Sequence, residues 1–296
     1  GRIDSSVITV TDKILGSSYS FTVRVAQSAD TEITVPMIVS GYGHTLALRA
    51  DGTVWAWGDN TYGQLGDGTY GTSNVDKFVP RQVRIGQNES NTKLLTNIKY
   101  VAAGANSSAA IDQDGLLYVW GNNDNGQLGV DGKIVAYPTL VEALKDNPAT
   151  PNADETILVS AVELSESHTI IIDALTKRAY TWGKNDHNQL GYQQSILNNG
   201  KPMTSPSTEN YAKEAHLVTR DKGDLNFLEV ASGKNHSVGI VIPASEAETA
   251  TQGTVYAWGD NTYGQLGQNT SGSSSAVLQA VKKSNGESIT NAVAVA

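Results

Sequence analysis

The sequence predicts an all-β propeller built from four-stranded blades. Three observations predict it: a ten-residue signature that recurs, alternating apolar runs joined by tight turns, and a composition that favours strands. The signature reads WGDNTYGQLG at 57–66 and 258–267, WGNNDNGQLG at 120–129 and WGKNDHNQLG at 182–191. Its tryptophans lie 63, 62 and 76 residues apart. One signature per interval of this length indicates a repeat architecture.

The composition supports strands over helices. Of 296 residues, 39% are hydrophobic and 17% are charged, which is typical of a globular chain. Phe and Met are scarce, whereas Thr, Val, Ser, Asn and Gly are frequent. This mixture favours strands joined by tight turns.

The first segment, residues 1–35, stands apart because it lacks the signature. Residues 4–27 contain two alternating apolar runs around Gly16-Ser17, a pattern typical of paired strands. We expect residues 1–35 to be an N-terminal β segment, the tail of an immunoglobulin-like module, and residues 36–296 to be the propeller. The alternative is a strand pair that joins the ring. Because the chain opens inside a predicted strand, we expect its natural N-terminus to lie upstream.

Each repeat begins with a short apolar strand and continues as a hairpin. The initial strands contain MIVSGYG, YVAAGAN, VELSES and LEVASGKN. The first two hairpins turn at Asp51-Gly52 and Asp114-Gly115, and Asp-Gly between alternating runs is a strong hairpin signal. The third repeat lacks this pair, and the fourth carries the insertion PASEAETATQ at 243–252.

A fourth apolar strand follows the signature, as in FVPRQVRI (78–85) and YPTLVEAL (137–144). Four antiparallel strands per unit are typical of a propeller blade. A helical period stands out only near Tyr211 to Leu217. Four complete units span residues 37–288, and the final SITNAVAVA aligns with LLTNIKYVAAG at 94–104. We therefore expect a partial propeller of four blades plus the start of a fifth.

Every fixed position of the signature has an architectural explanation. The Trp ring fills the space between neighbouring blades, and the following Gly allows a sharp exit from the strand. The Asn tolerates a left-handed backbone and bonds the turn, the Gln satisfies backbone groups, and the Leu fills the core. The alternative is a ligand site used repeatedly. The predicted structural residues are Trp57, Trp120, Trp182, Trp258, Asn60, Asn123, Asn185, Asn261, Leu65, Leu128, Leu190 and Leu266.

These patterns resemble the regulator of chromosome condensation repeat family. Its marks are the Gly-x-x-His-Thr/Ser entry in GYGHT (41–45) and GKNHS (233–237), the Asp-Gly hairpin and WGxNxxGQLG. The resemblance covers residues 37–296. It implies a propeller, and because members are typically seven-bladed, it implies a fragment or a small ring. Members include a nuclear guanine-nucleotide exchange factor that binds chromatin, a plant ultraviolet sensor and a secreted bacterial β-lactamase inhibitor, so function does not follow from the fold.

Charge and composition exclude several classes of function. The net charge is −9 with no basic run, which argues against nucleic-acid binding. Without cysteine the chain has no disulfide, thiolate metal site or cysteine nucleophile. No apolar run approaches the roughly 20 residues of a transmembrane helix. Only Trp55 lies outside the signature tryptophans, so we exclude the tryptophan cluster of an ultraviolet sensor.

The sequence contains no arrangement typical of catalysis or metal binding. Three of its five histidines share one slot of the repeat, which favours a turn-stabilising role. Asn122–Gly126 resembles the start of an EF-hand loop but lacks the downstream Glu. HExxH, GxSxG and Walker motifs are absent from the sequence. We therefore predict a non-enzyme with no catalytic residue, no cofactor and no metal. The histidines are His44, His168, His187, His216 and His236.

A binding site is predicted where the signature varies between repeats. Two adjacent slots vary, so architecture does not require their side chains, and they would all lie on loops of one face. We expect these loops, with insertions 145–156, 192–214 and 243–252 at the rims, to hold a protein or glycan partner. The alternative is ordinary solvated turn residues. The predicted binding residues are Tyr62, Asp124, Asn125, Asp186, His187 and Tyr263.

The expected function is a non-enzymatic interaction module of a secreted or cell-surface bacterial protein, and hence an extracellular or surface location. The N-terminal segment and the Thr/Ser/Asn-rich composition look like bacterial surface proteins, in which these repeats follow immunoglobulin-like modules. Two alternatives are a secreted enzyme inhibitor and an exchange factor for a small GTPase. The charge of −9 argues against a chromatin-binding face.

Overall fold

The computed structural model describes residues 4–11, 18–25, 34–71, 78–86, 93–144, 156–191, 211–220 and 223–296. Strands and turns make up nearly all of this part of the chain. Its helical segments are two single 3-10 turns, Glu142–Leu144 and Ala244–Glu246. The predicted all-β class is therefore confirmed.

The N-terminal segment contains a two-stranded hairpin. Strand β1, Asp4–Thr11, pairs antiparallel with β2, Ser18–Val25. The predicted turn at Gly16-Ser17 involves residues outside the described part of the chain. Assignment of residues 1–35 to an immunoglobulin-like module, rather than to the ring, stays a prediction.

Four antiparallel four-stranded sheets, called blades 1 to 4, follow in chain order. Blade 1 contains Met37–Ser40 (β3), His44–Leu48 (β4), Val54–Gly58 (β5) and Arg81–Gln82 (β6). Blade 2 contains Ile98–Ala103 (β7), Ser107–Asp112 (β8), Leu117–Asn122 (β9) and Ile134–Leu140 (β10). Blade 3 contains Val159–Leu164 (β11), His168–Asp173 (β12), Ala179–Lys184 (β13) and Tyr211–Leu217 (β14). After the small hairpin Thr219–Arg220 (β15) and Gly223–Asp224 (β16), blade 4 contains Asn226–Ser232 (β17), His236–Ile242 (β18), Thr254–Gly259 (β19) and Ser275–Ala280 (β20).

The helical period near Tyr211 to Leu217 wrongly indicated a helix, because this segment forms the strand β14. It pairs with β13 through Tyr180↔Leu217 and Lys184↔Tyr211. Pairing at the edge of a sheet overrides a weak local preference for helix.

The blades stack side by side around their first strands. Strands β3, β7, β11 and β17 contact one another in that order, so they form the inner wall. One core of buried side chains runs through blades 1 to 3, and a second joins blades 3 and 4. In the second core, Phe227 meets Trp258 edge to face with ring centroids 6.2 Å apart. This sequential packing is typical of a propeller.

The hairpin turns follow the sequence pattern. At Asp51-Gly52, Gly52 has φ +73°, and Arg49 N–H donates to the Thr53 carbonyl at 2.9 Å. The third repeat has no glycine here, and Lys177 takes φ +57°. In the fourth repeat the insertion folds as the 3-10 turn Ala244–Glu246.

The last residues repeat the connection between blades 1 and 2. Ile98 N–H donates to the Gly52 carbonyl at 3.1 Å, and Ala292 N–H donates to the Gly253 carbonyl at 3.0 Å. The preceding asparagines, Asn97 and Asn291, have φ +64° and +59°. Residues 292–296 therefore lie where the first strand of a next blade would begin.

Candidate binding face

The signature loop is organised by two amides. In blade 2, Asn123 Oδ1 accepts from Leu128 N–H at 2.8 Å, and Asn123 Nδ2 donates to the carbonyls of Val130 (2.7 Å) and Gly132 (2.6 Å). Gln127 Oε1 accepts from Asn125 N–H at 2.9 Å. The corresponding Asn Oδ1 and Gln Oε1 bonds recur in the other three signatures.

The expected left-handed geometry lies elsewhere in the loop. None of the four signature asparagines has a positive φ. Within the turn that follows the Asn, the seventh position of the signature is left-handed instead, as in Gly63 (φ +81°) and, in the third copy, Asn188 (φ +61°). The signature Asn acts through its side-chain amide, which spans the turn.

The signature also joins neighbouring blades through its Gln carbonyl. The Gln64 carbonyl of blade 1 accepts from Trp120 Nε1 and from Ser108 Oγ of blade 2, both at 2.8 Å. The Gln189 carbonyl of blade 3 accepts from Trp258 Nε1 (2.9 Å) and Ser237 Oγ (3.0 Å) of blade 4. Between blades 2 and 3, Thr169 Oγ1 donates to the Gln127 carbonyl at 2.5 Å. We call each of these contacts a joint.

The last signature glycine is required by the joint. Gly191 has φ +65°, and a Cβ added to it would lie 2.5 Å from Trp258 Nε1. Gly66 and Gly129 approach Trp120 and Trp182 in the same way. Only glycine allows both this backbone conformation and this approach.

The repeated histidine belongs to the joint. His168 lies between Ser165 Oγ at 2.6 Å from Nδ1 and Ser237 Oγ at 2.9 Å from Nε2. Because Ser237 Oγ donates to the Gln189 carbonyl, it accepts from His168 Nε2–H, which fixes the tautomer. Burial lowers the pKa of His168 to about 3, so this imidazole is neutral at pH 7. The same arrangement links His44 Nε2 to Ser108 Oγ at 2.9 Å, and burial lowers the pKa of His44 to about 4.

These His–Ser contacts are not catalytic pairs. His168 and Ser237 are both fully buried, so no substrate could reach the hydroxyl. The serine proton is also directed to a main-chain carbonyl rather than to the imidazole. The arrangement stabilises the joint and leaves no activated nucleophile.

The predicted variable slots do lie on one face of the blades. Each signature loop is bonded to the entry loop that precedes the second strand of its blade. In blades 1 to 4, respectively, the N–H of Asp59, Asn122, Lys184 and Asp260 donates to the entry-loop carbonyl at 2.7–2.9 Å. We call the surface formed by the four entry loops and the four signature loops the loop face.

The tyrosines of the loop face differ in exposure. Tyr263 is 90% exposed, whereas Tyr62 is half-buried. Tyr42 of the first entry loop, which is not among the predicted binding residues, is 91% exposed. The other repeats have Ala105, Glu166 and Lys234 at the position equivalent to Tyr42. This position therefore varies between repeats, as do the positions of the signature that were predicted to bind a partner.

The polar candidates lie on the loops of blades 2 and 3. Asp124 is exposed and Asn125 is half-buried. The Asp186 carboxylate forms an ion pair with Lys184 Nζ at 2.8 Å and a hydrogen bond with His187 Nδ1 at 2.9 Å. Partial burial raises the pKa of Asp186, but hydrogen bonds from Lys184, His187 and Gln189 outweigh it and bring the pKa to about 2. Asp186 is therefore ionised at neutral pH.

Contacts between blades tie the loop face together in sequence. Tyr42 N–H donates to the Ala105 carbonyl at 2.9 Å, and Lys234 Nζ pairs with Glu166 Oε2 at 3.0 Å. Between blades 2 and 3, Gln127 Nε2 donates to the Glu166 carbonyl at 3.3 Å. Between blades 3 and 4, Asn188 Nδ2 also donates to Ser274 Oγ at 3.1 Å. The face is thus one connected surface of tyrosines and charges of both signs. The predicted binding residues lie on the loops of successive blades rather than around one pocket.

The inner wall carries a separate pair of carboxyls. Burial, and then the nearby Glu229, raise the pKa of Glu163 to about 7. Burial, Glu163 and Glu229 together raise the pKa of Tyr100 to about 12. Within the described ranges, no group of three or more His, Asp or Glu side chains could hold a metal ion. No helix in the described part of the chain is long and apolar enough to cross a membrane.

The chain matches the regulator of chromosome condensation (RCC1) repeat over residues 51–111, 114–172, 178–240 and 252–294, and a second model of this repeat over 98–127. Guanine nucleotide exchange factor SRM1 of Saccharomyces cerevisiae is 26% identical over 77% of this chain and 42% of that protein. Ultraviolet-B receptor UVR8 of Arabidopsis thaliana is 27% identical over 79% of this chain and 43% of that protein.

Solved structures show the same fold. Prp20p of Saccharomyces cerevisiae, described with its binding to Gsp1p and histones, superposes with a TM-score of 0.65 at 23% identity, over 90% of this chain and 53% of that one. This chain spans less than half the length of the two curated relatives and about half of the solved structure.

Proposed function

Because the chain belongs to the regulator of chromosome condensation (RCC1) repeat family, we propose that it is a non-enzymatic binding module whose loop face holds a protein partner. The observation that carries this proposal is the exposure of Tyr42 and Tyr263, at 91% and 90%, in slots that the architecture does not need. Tyrosines supply large contact area and hydrogen bonds at protein interfaces.

The polar groups around these tyrosines favour a protein over a charged polymer. Lys234 and Glu166 form an exposed pair, and Lys184 and Asp186 form a half-buried pair. A face with both signs of charge suits the mixed surface of a folded protein. A glycan is the alternative partner, since aromatic side chains also stack on sugar rings.

We propose further that the module acts in a secreted or cell-surface bacterial protein. Support for this comes from the cysteine-free, acidic, Thr/Ser/Asn-rich sequence and from the strand pair before the blades, which is similar to the layout of bacterial surface proteins. In that setting an enzyme inhibitor would use the same loop face against one enzyme.

An exchange factor is the second candidate, favoured by the similarity to SRM1. The chain spans only 42% of that protein. A nucleotide-release assay with purified Gsp1p, the GTPase named with the yeast structure, would test this candidate directly. Release at the uncatalysed rate would exclude it for this GTPase.

The loop-face proposal is tested with protein and glycan arrays probed by labelled chain. The test variant is Tyr42→Ala/Tyr263→Ala, and the matched control is Leu175→Ala, which alters a side chain 75% exposed at the opposite end of the strands. We expect at least a tenfold loss of affinity for the test variant and none for the control. Binding that survives the double change but is lost at Leu175 would overturn the proposal.

A further inference from the structure

An open groove of about 990 Å³ lies between the outer part of blade 1 and the outer strand of blade 2. Every residue of β10 lines it on one side, and blade 1 contributes Tyr70 and Ile85 on the other. Both blades that form it contain all four of their strands. The groove adjoins the loop face, but neither Tyr42 nor Tyr263 lines it. Its volume is within the range of known ligand sites.

The main chain of β10 is poorly suited to pair with a further strand. Its register with β9 breaks between Val135 and Thr139, and Pro138 within this irregular stretch has no N–H to donate. The Ala136 carbonyl already accepts from Gly68 N–H of blade 1 at 3.0 Å. Features of this kind protect an edge strand from the addition of another strand. A ligand in this groove must therefore be recognised by side chains.

The side chains of the groove are mainly aliphatic, with two aromatic rings. Tyr70 is 61% exposed and Ile134 is 39% exposed. The ring of Tyr137 is half-buried and lies on the main chain of Gly68, where an added Cβ would overlap Tyr137 Oη. This contact fixes the orientation of the ring. A hydroxyl-rich sugar chain would lose hydrogen bonds to water against aliphatic surface, so the lining favours an apolar peptide segment.

The charged residues of the groove carry one sign. They are Asp131 and Glu142, and among the described residues that line the groove there is no Lys or Arg. Asp131 is exposed and forms no ion pair within the described part of the chain. Lys133 is near it in sequence and exposed, but does not line the groove. An acidic rim beside aromatic rings complements a Lys or Arg side chain of a ligand.

We propose that this groove binds a proline-rich segment of a partner protein that carries a Lys or Arg beside its prolines. Such a segment forms a polyproline II helix, which needs no strand hydrogen bonds and docks on aromatic side chains. The seven residues of β10 span roughly 20 Å, a length that accommodates about six residues of this helix. The site is separate from the exposed tyrosines of the loop face, so both sites can be occupied at once.

Fluorescence anisotropy with three labelled peptides tests the class of ligand. The first peptide is two arginines followed by eight prolines. The second has glutamates in place of the arginines, and the third has four Gly-Ser pairs in place of the prolines. We expect the first to bind with a Kd of roughly 10–500 μM, because an open groove buries only part of a ligand. The other two should bind at least about tenfold more weakly, since each lacks one of the two recognised features.

Variants of the groove locate the bound peptide. Tyr70→Ala should weaken binding of the arginine–proline peptide at least about fivefold, because it removes the more exposed ring. Asp131→Arg should weaken it by a similar factor and strengthen binding of the glutamate–proline peptide, because it reverses the charge at the rim. Leu175→Ala, in the hairpin turn of blade 3, should bind as the wild type does. Circular dichroism checks folding, and if Tyr70→Ala is unfolded, the charge reversal at Asp131 decides the location.

The proposal is overturned if the arginine–proline peptide does not bind saturably up to about 2 mM, or binds no more tightly than the Gly-Ser peptide. Binding that is unchanged in both groove variants but lost in Tyr42→Ala/Tyr263→Ala would place the peptide on the loop face and would also overturn it. Cellohexaose is the glycan probe, and its Tyr70-dependent binding without peptide binding would assign the groove to a sugar instead. The loop-face proposal is tested at other residues, so either proposal can fail without the other.

Discussion

At the residue scale, the stability of the blade array depends on a few buried polar contacts. In the joints between blades 1 and 2 and between blades 3 and 4, the hydroxyl links three groups, because it accepts from a neutral imidazole and donates to a main-chain carbonyl that also receives an indole N–H. Each of these groups is buried, so loss of one partner leaves another unsatisfied. An unsatisfied buried polar group costs about 1–3 kcal/mol.

Ser237→Ala should lower the free energy of unfolding by about 1–3 kcal/mol. The reason is that His168 Nε2–H and the Gln189 carbonyl each lose the hydrogen bond that they make with Ser237 Oγ. Thr45→Ala is the matched control, because Thr45 fills the same slot in blade 1, where it is half-buried, and its loss should cost within about 0.5 kcal/mol. Urea denaturation of both variants at low protein concentration measures the difference. Equal costs would mean that the hydroxyl contributes nothing through the joint.

The buried titratable groups impose opposite pH dependences. The folded pKa values of His44 and His168, about 4 and about 3, lie below the usual 6.5, so their contribution to stability is present above pH 6.5 and is lost as pH falls. The folded pKa of Glu163, about 7, lies above the usual 4.5. Its contribution is present at low pH and is lost as pH rises from 4.5 through 7.

Comparing Glu163→Gln with the wild type isolates the effect of the Glu163 carboxyl on stability, because the histidines contribute equally to both proteins. The stability of the variant relative to wild type should be about 2 kcal/mol more favourable at pH 8 than at pH 5. Urea midpoints at the two pH values measure this. A difference that does not change with pH would show that Glu163 titrates normally in the folded chain.

At the element scale, the signature loop is held by its asparagine rather than by backbone geometry. Asn123 supplies three hydrogen bonds that close the loop between β9 and β10, while the glutamine amide satisfies one more backbone N–H. Through the Gln127 amide, the backbone of the second variable slot is held independently of the side chain at that slot.

Asn123→Ala should lower the free energy of unfolding by about 2–3 kcal/mol, as three contacts at a buried amide are lost. Asn125→Ala, two residues away in a variable slot, should stay within about 0.5 kcal/mol, because its bond to Gln127 is made by the main chain. Thermal and urea unfolding would compare the pair. A large effect at Asn125 would contradict the assignment of that slot to binding.

At the scale of the whole molecule, the blades are not equivalent. Every residue of β8 and β12 is buried, because blades 2 and 3 have a neighbour on both sides. The corresponding strands of the outer blades, β4 and β18, have half-buried positions. In a linear array stability is the sum of unit and interface contributions, so the end blades should open first.

Hydrogen exchange at low micromolar concentration should therefore show slower exchange in β8 and β12 than in β4 and β18. The reason is that opening an end blade breaks one joint and opening an interior blade breaks two. Mass spectrometry of peptic fragments resolves these strands. Uniform protection across the four blades would contradict independent opening of the ends.

The sequence by itself determined the fold class, the number of repeats and the four-stranded unit, because a recurring signature and period-2 hairpins are local patterns. It also indicated that the histidine slot is architectural. The local helical period of Tyr211 to Leu217 is misleading, because pairing with the sheet makes this segment a strand. The sequence pattern also does not identify Tyr42, because its exposure depends on the conformation of the entry loop.

Only the tertiary structure decided which atoms meet between blades. The partners of the Gln64 and Gln189 carbonyls lie 44–69 residues away in the chain, and no spacing rule within one repeat predicts them. The same holds for the proximity of Glu163 to Glu229 on the inner wall. These features arise from the stacking of one sheet on the next, so they exist only once the blades are assembled.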